Sequence, residues 1–507
     1  MTPEEFRAAG HALIDWIADH RERIPDLPVA AQVAPGEVRA ALPAHAPTTP
    51  EPFSDVLADL DRVVVPGVTQ TQHPGFFGWF PSNASLASVL GDIASGGVAA
   101  LGITWQSAPA LTEVEQVVTD WLRDLCGLSP EWRGAIQDTA STACLVAMLA
   151  ARERASDGSE HRGGLQSLDA PLVAYTSPHA HSSVPKAVLL AGFGADNLRY
   201  VDVDPQTYAM DPVALRGAMA EDAASGRVPA VVVAAVGTTG TTAMDPVRDI
   251  VEVAREHGAW VHVDAAMAGS AMLLPEMRHL FDGVDEADSL AWNPHKWMGT
   301  ILDTSLLYVR DVDHLVSVMS TTPSYLRSAI DDEVVQYKDW GIPLGRRFRA
   351  LKLWFHLRLD GVEAIRDRLR RDLANARWLA EQVQAEPGWR VLAPVELQTV
   401  CIRHEPDGLE GDALDAHTLA WVGAVNASGR AFLGASQLDG RWMVRVSIGA
   451  EATEREDVAA LWVLLRDTAA AEVSDPSWAL PSRPSASRTS TRSRRSAHSV
   501  RGGRLAP

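Results

Sequence analysis

Six short runs of apolar, β-branched residues, separated by helical patterns, constrain the fold of this chain more than any other feature. The runs occupy residues 172–177, 198–203, 228–237, 260–266, 289–294 and 304–310. Helical periodicity lies between them at 141–155, 211–224 and 246–257. Nearly continuous apolar strands that alternate with helices predict a parallel sheet with helices on both faces. In such a sheet the functional side chains collect in loops at the strand ends.

The segments on either side of this pattern predict smaller units. We divide the chain into an N-terminal helical and extended segment (1–90), a large domain (91–360), a small α+β domain (361–474) and a tail (475–507). From residue 476 onward the tail carries seven arginines, many serines and no acidic residue. This composition is typical of a disordered segment.

The overall composition disfavours several classes of protein. The 507-residue chain has a formal net charge of −20, which disfavours nucleic acid or an anionic membrane as its main partner. The N-terminus has no signal-peptide pattern, and no apolar stretch has the length of a membrane span. Cys126, Cys144 and Cys401 have no paired spacing, as expected in a reduced compartment. We expect a cytoplasmic protein that binds neither nucleic acid nor a membrane.

Lys296, in NPHKW at 293–297, follows an apolar run that reads as a buried strand. Lysine is rarely buried unless another group pairs with it. A surface salt bridge is the commoner role of a lysine. A lysine at a strand end can also form an imine with a carbonyl compound such as pyridoxal phosphate.

Three other features bear on the role of Lys296. Asp264 ends a buried strand, where a carboxylate needs a cationic partner such as a protonated pyridine nitrogen. Small residues at 139–143 open a helix whose N-terminus can bind a phosphate, although an ordinary capping box explains them equally well. His181 could stack on a flat ring or be structural. His179 lies nearby, but no third ligand is close in sequence, so we expect no metal site.

Together these motifs resemble the group II pyridoxal-phosphate decarboxylases, in particular the aromatic-L-amino-acid decarboxylase family. The resemblance covers residues 1 to about 470 and includes QHPGFFGWFPS (72–82), SAPALTEVE (107–115), IQDTAS (136–141), HAHSSVPKA (179–187), HVDAA (262–266) and IPLGRRFRALKLW (342–354). It implies an α/β fold of the aspartate-aminotransferase type (fold type I), with a mostly parallel central sheet and a small C-terminal α+β domain. It also implies pyridoxal 5'-phosphate as cofactor, a small amino-acid substrate and a homodimer in which segment 1–90 takes part in dimerisation.

The resemblance also implies roles for individual residues. Lys296 binds the cofactor covalently, Asp264 pairs with its ring nitrogen, and His181 stacks on its ring. The other implied cofactor residues are Thr139, Ala140, Ser141, Thr239, Ala266, Asn293 and His295, of which His295 is also counted as catalytic. The implied substrate pocket contains Trp79, Phe80, Pro81, Ser82, Leu101, Ile103 and Gly345, partly from the other subunit. Tyr325, 29 residues after Lys296, supplies a proton to the substrate carbon.

The predicted reaction is decarboxylation of an L-amino acid to its amine, with tryptophan, tyrosine or a dopa-like ring favoured. Met267 and Ile103 depart from the family pattern and leave the substrate open, including glutamate or histidine. An aldehyde synthase is an alternative, but that branch typically has phenylalanine in place of Tyr325. An aminotransferase would need an arginine for the substrate carboxylate. Arg445 is a candidate for this role, although a structural ion pair explains it equally well. The complete set of catalytic residues disfavours an inactive relative.

Overall fold

The computed structural model describes residues 1–321 and 333–474, which form a larger and a smaller β-sheet with helices around them. The strands of the larger sheet are β1 (Arg133–Gln137), β2 (Leu172–Thr176), β3 (Leu198–Tyr200), β4 (Val228–Ala235), β5 (Trp260–Asp264), β6 (Ser289–Trp292) and β7 (Ser305–Val309). Those of the smaller sheet are β8 (Trp389–Val391), β9 (Thr399–His404), β10 (Gly434–Leu438) and β11 (Arg441–Ser447).

The α-helices of the described residues connect and cover these strands. They are α1 (Pro3–Arg23), α2 (Glu37–Ala41), α3 (Phe53–Asp59), α4 (Leu86–Val98), α5 (Pro109–Cys126), α6 (Ala140–Ala155), α7 (Ser183–Leu190), α8 (Pro212–Ala224), α9 (Val247–Arg255), α10 (Val312–Met319), α11 (Ala350–Leu359), α12 (Val362–Ala385), α13 (Gly411–Ala427) and α14 (Arg455–Ser474). Among the described residues, no helix has both the length and the hydropathy that crossing a bilayer requires.

The larger sheet is mostly parallel, as predicted. Its strand order is β1-β7-β6-β5-β4-β2-β3, and β7 runs antiparallel to both of its neighbours. The other pairs are parallel. Ala235 lies opposite Asp264, and Asp264 lies opposite Ala291, so the carboxyl ends of β4, β5 and β6 are side by side.

Helices cover both faces of the larger sheet because its central strands are apolar at nearly every position. Val231 and Val233 of β4 pack with α6 and α7, whereas Val232 and Ala234 pack with α5, α8 and α9. All four side chains are fully buried. Successive residues of a strand point to opposite faces, so a sheet that is covered on both sides requires an unbroken apolar run.

The smaller sheet is antiparallel, in the order β10-β11-β9-β8, and packs with α12, α13 and α14 as a C-terminal α+β unit. Helix α12 contributes to two hydrophobic cores. Ile365 and Leu369 pack in the core of the larger sheet, whereas Leu379 and Val383 pack in the core of the smaller one. The large and small units are therefore joined by a shared helix.

One helix begins later than its pattern predicts. The apolar periodicity of 344–359 predicts a helix over that range, but α11 begins at Ala350. Arg346 instead exchanges two backbone hydrogen bonds with Gly102. Its guanidinium donates to both carboxylate oxygens of Glu115 and to the carbonyl of Ile136. These tertiary contacts hold the segment extended where helical propensity alone favours a helix.

Candidate active site

The carboxyl ends of β4, β5 and β6, together with the N-terminus of α6, surround a cavity of about 230 Å³. All ten predicted cofactor residues line it: Thr139, Ala140, Ser141, His181, Thr239, Asp264, Ala266, Asn293, His295 and Lys296. Phe80, Ser183, Ala235, Gly237, Thr238 and Met267 complete the lining. The fold thus brings into one place residues that are far apart along the chain.

Lys296 lies in the turn Pro294–Met298, directly after β6. Its Nζ lies 5.5 Å from the centroid of the Phe80 ring, and no described residue forms a hydrogen bond or salt bridge with it. Burial lowers the pKa of Lys296, the carboxylate of Asp264 partly opposes this shift, and Arg445 lowers the pKa further. A larger fraction of the amine is therefore neutral than in an exposed lysine, and a neutral amine can attack a carbonyl carbon.

Asp264 is the last residue of β5, and only 8 % of its surface is exposed. Its Oδ1 accepts a hydrogen bond of 3.1 Å from the backbone N–H of Ala266. In the part of the chain that the structure describes, no lysine or arginine forms a salt bridge with this carboxylate. Because a buried carboxylate is costly without a cation, the geometry suits a ligand that carries a positive charge.

Two histidines of the cavity lining, His181 and His295, each accept a hydrogen bond at Nδ1 from a backbone N–H. Nδ1 of His181 accepts a hydrogen bond of 3.1 Å from the backbone N–H of Ser183, and Nδ1 of His295 accepts one of 3.0 Å from Thr304. A backbone N–H can only donate, so the proton of each neutral ring is on Nε2. Burial lowers the pKa of His181, and burial together with Lys296 lowers that of His295 to about 4. Both rings are therefore neutral N–H donors at pH 7.

The N-terminus of α6 contributes Thr139, Ala140 and Ser141 to the lining of the cavity. Thr139 is the N-cap of α6, and the Thr139 hydroxyl accepts a hydrogen bond from the N–H of Thr142. The first N–H groups of a helix have no intrahelical acceptor and attract an anion. Nearby, Oδ1 of Asn293 accepts a hydrogen bond of 2.6 Å from Ser305, which leaves the Asn293 NH₂ group as a donor for a ligand.

These residues fit pyridoxal phosphate group by group. Lys296 suits its aldehyde, Asp264 suits its protonated ring nitrogen, and the flat ring of His181 suits its aromatic face. The phosphate suits the N-terminus of α6. The strongest observation is that Lys296 and Asp264 are buried at the same cavity without a salt bridge, because a buried charge without a close ionic partner is costly.

The seven predicted substrate-pocket residues do not all meet in one chain. Only Phe80 lines the cavity. Trp79 and Leu101 are 56 % and 59 % exposed, and Gly345 is also exposed. The remaining three, Pro81, Ser82 and Ile103, lie outside the cavity lining of the single chain. That these seven residues form a substrate pocket stays a prediction. The predicted proton donor, Tyr325, lies outside the described residues.

Arg445 is close to the site, and its position could not be read from the sequence. It lies on β11, is 6 % exposed, and holds its guanidinium 4.9 Å from the centroid of the Phe80 ring. Its Nε donates to the carbonyl of Gly240 at 3.0 Å, and its buried Nη2 has no hydrogen-bond partner among the described residues. No described acid pairs with it, so the ion-pair interpretation is not supported. The only signal in the sequence was a charged residue between the apolar residues Val444 and Val446.

The fold and the site define a fold type I pyridoxal-phosphate enzyme. The family model of the pyridoxal-dependent decarboxylase conserved domain matches residues 35–405. The chain belongs to this family of pyridoxal-phosphate-dependent carboxy-lyases.

Several known proteins are similar to this protein over almost its whole length. Phenylacetaldehyde synthase from Arabidopsis thaliana is 39 % identical, over 92 % of this chain and 96 % of its own. Tryptophan decarboxylase 2 from Oryza sativa subsp. japonica is 38 % identical, over 92 % and 95 %. The crystal structure of Oryza sativa TDC with PLP and tryptamine superposes with a TM-score of 0.90 at 35 % identity, and covers 93 % of this chain and 99 % of that one.

Proposed function

We propose that this protein decarboxylates an aromatic L-amino acid to the corresponding amine and carbon dioxide. The observation that carries the proposal is the cavity that holds both Lys296 and Asp264, neither of which forms a salt bridge with a described residue. The relatives support the aromatic class, because they are named for phenylacetaldehyde and tryptophan. Phe80, in the cavity wall, offers an aromatic surface for such a substrate.

Each catalytic residue has a defined task in this proposal. Bound pyridoxal phosphate supplies an electron sink for the electrons that remain when the carboxylate leaves. Lys296 provides the neutral amine that anchors the cofactor, and Asp264 holds the proton on the ring nitrogen by its charge. His181 packs on the ring and keeps its Nε2–H as a donor. Tyr325 delivers a proton to the substrate carbon.

The cofactor phosphate is bound by the N-terminus of α6 in this proposal. The N–H groups of Ala140 and Ser141 bind its oxygens, with Thr139 as the cap that fixes the first turn. Asn293 and His295 add side-chain donors from the turn that carries Lys296. Thr239 and Ala266, which line the same cavity, would lie beside the cofactor ring.

Arg445 is proposed to attract the carboxylate of the substrate. Its charge is nearly buried, and its Nη2 is unpaired among the described residues. A charge in such surroundings acts more strongly than one at the surface. Arg445 does not itself line the cavity, but its guanidinium lies 4.9 Å from the ring of Phe80, which does, so it would act on the substrate carboxylate through its charge.

The protein is also proposed to be a homodimer. One face of α4 exposes Leu86, Leu90 and Ile93, each 45 to 49 % exposed, at a spacing of one helical turn. The opposite face buries the small residues Ser88, Gly91 and Ser95. An exposed apolar stripe of this kind marks a protein interface, and a second copy of the chain would cover it. The exposed Trp79 and Leu101 are proposed to join the partner's pocket through this interface.

The organisation of the chain remains a proposal as well. We propose the segments 1–90, 91–360, 361–474 and 475–507, in which the first takes part in dimerisation and the second binds the cofactor. The separate hydrophobic cores of the two sheets support the division between the second and third. A cytoplasmic location is proposed because Cys126, Cys144 and Cys401 form no disulfide, as expected in a reduced compartment.

An assay of products tests this function. The purified protein with pyridoxal phosphate is incubated with tryptophan, tyrosine, dopa, phenylalanine, glutamate and histidine, and the amines are identified by mass spectrometry. We expect amines from the aromatic substrates only. Activity on glutamate or histidine alone would overturn the proposal. An aldehyde synthase is the second candidate, because one is 39 % identical, and it would give aldehyde and peroxide in air instead of amine.

A further inference from the structure

Two side chains on α12, one helical turn apart, contact the turn that carries Lys296. Arg368 Nη2 donates hydrogen bonds of 2.7 Å to the carbonyls of Trp297 and Met298. Asp372 Oδ2 accepts a hydrogen bond of 2.9 Å from Nε1 of Trp297. The residue directly after Lys296 is thus bound through its backbone and through its side chain.

These contacts are buried and carry charge. Trp297 and Asp372 are fully buried, and Arg368 Nη1 lies 3.7 Å from Asp372 Oδ2. The positive charge of Arg368 offsets part of the cost of burying the Asp372 carboxylate, whose pKa burial raises to about 6. Hydrogen bonds with an ionised donor or acceptor are shorter and stronger than neutral ones, and they fix the geometry of the turn more firmly.

The end of the turn is shaped to admit the guanidinium of Arg368. Gly299 has φ +103°, and a Cβ at this position would lie 3.1 Å from Nη2 of Arg368. Only glycine adopts this conformation readily and leaves the approach open. Among the described residues, only Arg368 donates a hydrogen bond to the carbonyls of Trp297 and Met298. Arg368 therefore satisfies the carbonyls that the end of a helical turn leaves unpaired.

Neither α12 residue lines the cavity, so neither can touch a substrate or cofactor there. Both lie in the first half of α12, between Ile365 and Leu373, which pack in the core of the larger sheet. The second half of the same helix packs in the core of the smaller sheet. Helix α12 therefore connects the turn that carries Lys296 to the core of the smaller sheet.

We propose that Arg368 and Asp372 are positioning residues that hold Lys296 in place for the cofactor by clamping Trp297 and the turn Pro294–Met298. The inference rests on the proposed function, since it assigns Lys296 to the cofactor. The clamp fixes the direction in which the Lys296 side chain leaves the turn. Loss of the clamp lets the turn fluctuate, so that the amine reaches the cofactor aldehyde less often.

The test uses the cofactor-loaded protein and compares Arg368→Gln with Arg366→Gln. Arg366 is a matched control, because it lies on the same helix and its Nε donates to the carbonyl of Leu273 at 2.7 Å, away from the lysine turn. Amide hydrogen exchange of the peptide that contains residues 293–300 is measured by mass spectrometry. We expect exchange to accelerate roughly tenfold or more in Arg368→Gln, since two charged hydrogen bonds are lost. Arg366→Gln should leave this peptide unchanged.

A second readout follows the covalent bond between Lys296 and the cofactor. Pyridoxal phosphate is added back to protein from which it has been removed, borohydride traps the bond at fixed times, and the labelled peptide is quantified. Arg368→Gln and Trp297→Phe should both label Lys296 more slowly, and Arg368→Lys should restore part of the parent rate. Trp297→Phe keeps the ring and removes only the N–H, so it tests the clamp even if the arginine variant folds poorly. Unchanged exchange and labelling in Arg368→Gln or in Trp297→Phe would overturn the clamp.

The two proposals fail in different ways. If no amino acid is decarboxylated but the variants still loosen the 293–300 peptide and slow the labelling of Lys296, the clamp holds and the proposed reaction is wrong. If the parent protein forms amine and the variants match it in exchange and labelling, the reaction holds and the clamp is wrong.

Discussion

The protonation states of three neighbouring side chains decide what the cavity can do. Burial lowers the pKa of Lys296 and of His181, and it lowers that of His295 to about 4. At neutral pH the histidines are N–H donors without charge, and the lysine is easier to deprotonate than an exposed one. The fixed charges of the site are then those of Asp264 and Arg445. They have opposite sign, as the zwitterion of an amino acid does.

Asp264→Asn should separate cofactor binding from catalysis. Asparagine keeps the size of the side chain but not its charge, so it cannot hold a proton on the ring nitrogen electrostatically. We expect the rate of amine formation to fall on the order of 10²–10³-fold, a loss typical of a preorganised electrostatic group. The cofactor content after dialysis, measured from absorbance, should stay close to the parent value because α6 still binds the phosphate. A rate within threefold of the parent would mean that Asp264 only braces the N–H of Ala266.

Tyr325→Phe should redirect the reaction from amine to aldehyde. Phenylalanine keeps the ring but has no proton to give, and a general acid typically contributes ~10²–10⁴-fold. Amine formation should fall by such a factor while carbon dioxide release continues. In air, aldehyde, ammonia and peroxide should appear, and under nitrogen they should not. One amine for each carbon dioxide at the parent rate would show that another group, with His181 first to test, supplies the proton.

Among the elements, the exposed face of α4 carries the most direct prediction. Leu90, in the middle of the apolar stripe, is 45 % exposed in the single chain. Leu90→Asp should weaken dimerisation roughly 10–100-fold, as the loss of a central interface residue does. Analytical ultracentrifugation over a dilution series measures the dissociation constant, and activity should fall with the dimer fraction.

Val213→Asp is a matched control for this experiment. Val213 is an exposed valine on α8, 73 % exposed, and lies away from α4. The Val213→Asp variant should leave the dissociation constant of the dimer unchanged. An active monomer of the parent protein, or a Leu90→Asp dimer as tight as the parent one, would remove α4 from the interface.

The elements that could be predicted from sequence are those whose pattern is local. The buried runs of β2, β4, β5 and β6 are mostly apolar, and this local pattern predicts them. By contrast, β1 and β10 contain small and polar residues, RGAIQ and GASQL, and become strands only because β7 and β11 pair with them. The start of α11 was also predicted wrongly, since Arg346 is held by Glu115 and Gly102, far away along the chain.

At the scale of the whole molecule, the same distinction explains what was predictable in the site. Lys296, Asp264 and His181 lie within short motifs at strand ends, so residue type and position indicated them before the fold was known. Arg445 comes from the smaller sheet, and the clamp by Arg368 comes from α12. Their positions depend on how the two cores dock around α12, which local periodicity does not encode.

The pH dependence of stability is a property of the whole molecule, because histidines are buried in several of its parts. Burial lowers the pKa of His262, His295 and His417 to about 4 and that of His356 to about 3. In the unfolded chain these groups titrate near 6.5. Below pH 6.5 these histidines bind protons in the unfolded chain but not in the folded one. Their contribution to the stability of the fold is therefore complete above pH 6.5 and is lost as the pH falls toward 4.

Two buried acids act in the opposite direction. Burial raises the pKa of Asp245 to about 7 and that of Asp372 to about 6. Their folded pKa lies above the unfolded value, so their contribution grows as the pH falls through these values. The pKa shifts of the four histidines and the two acids are similar in size, so the stability that the histidines lose on acidification exceeds the stability that the acids gain. The free energy of unfolding should therefore decrease between pH 7 and pH 5.

His356→Gln tests this prediction at one site. His356 is 3 % exposed, its Nδ1 lies 2.9 Å from the hydroxyl of Thr300, and Asp360, 3.4 Å from Nε2, does not offset the cost of burial. Glutamine does not titrate, so the loss of stability from pH 7 to pH 5 should be smaller by roughly 2 kcal/mol than in the parent protein. Urea unfolding of the cofactor-loaded protein at pH 7 and at pH 5 measures this difference in the free energy of unfolding. His11→Gln, at an exposed position of α1, is the control. If His356→Gln and His11→Gln lose the same stability as the parent, His356 is not neutralised by burial.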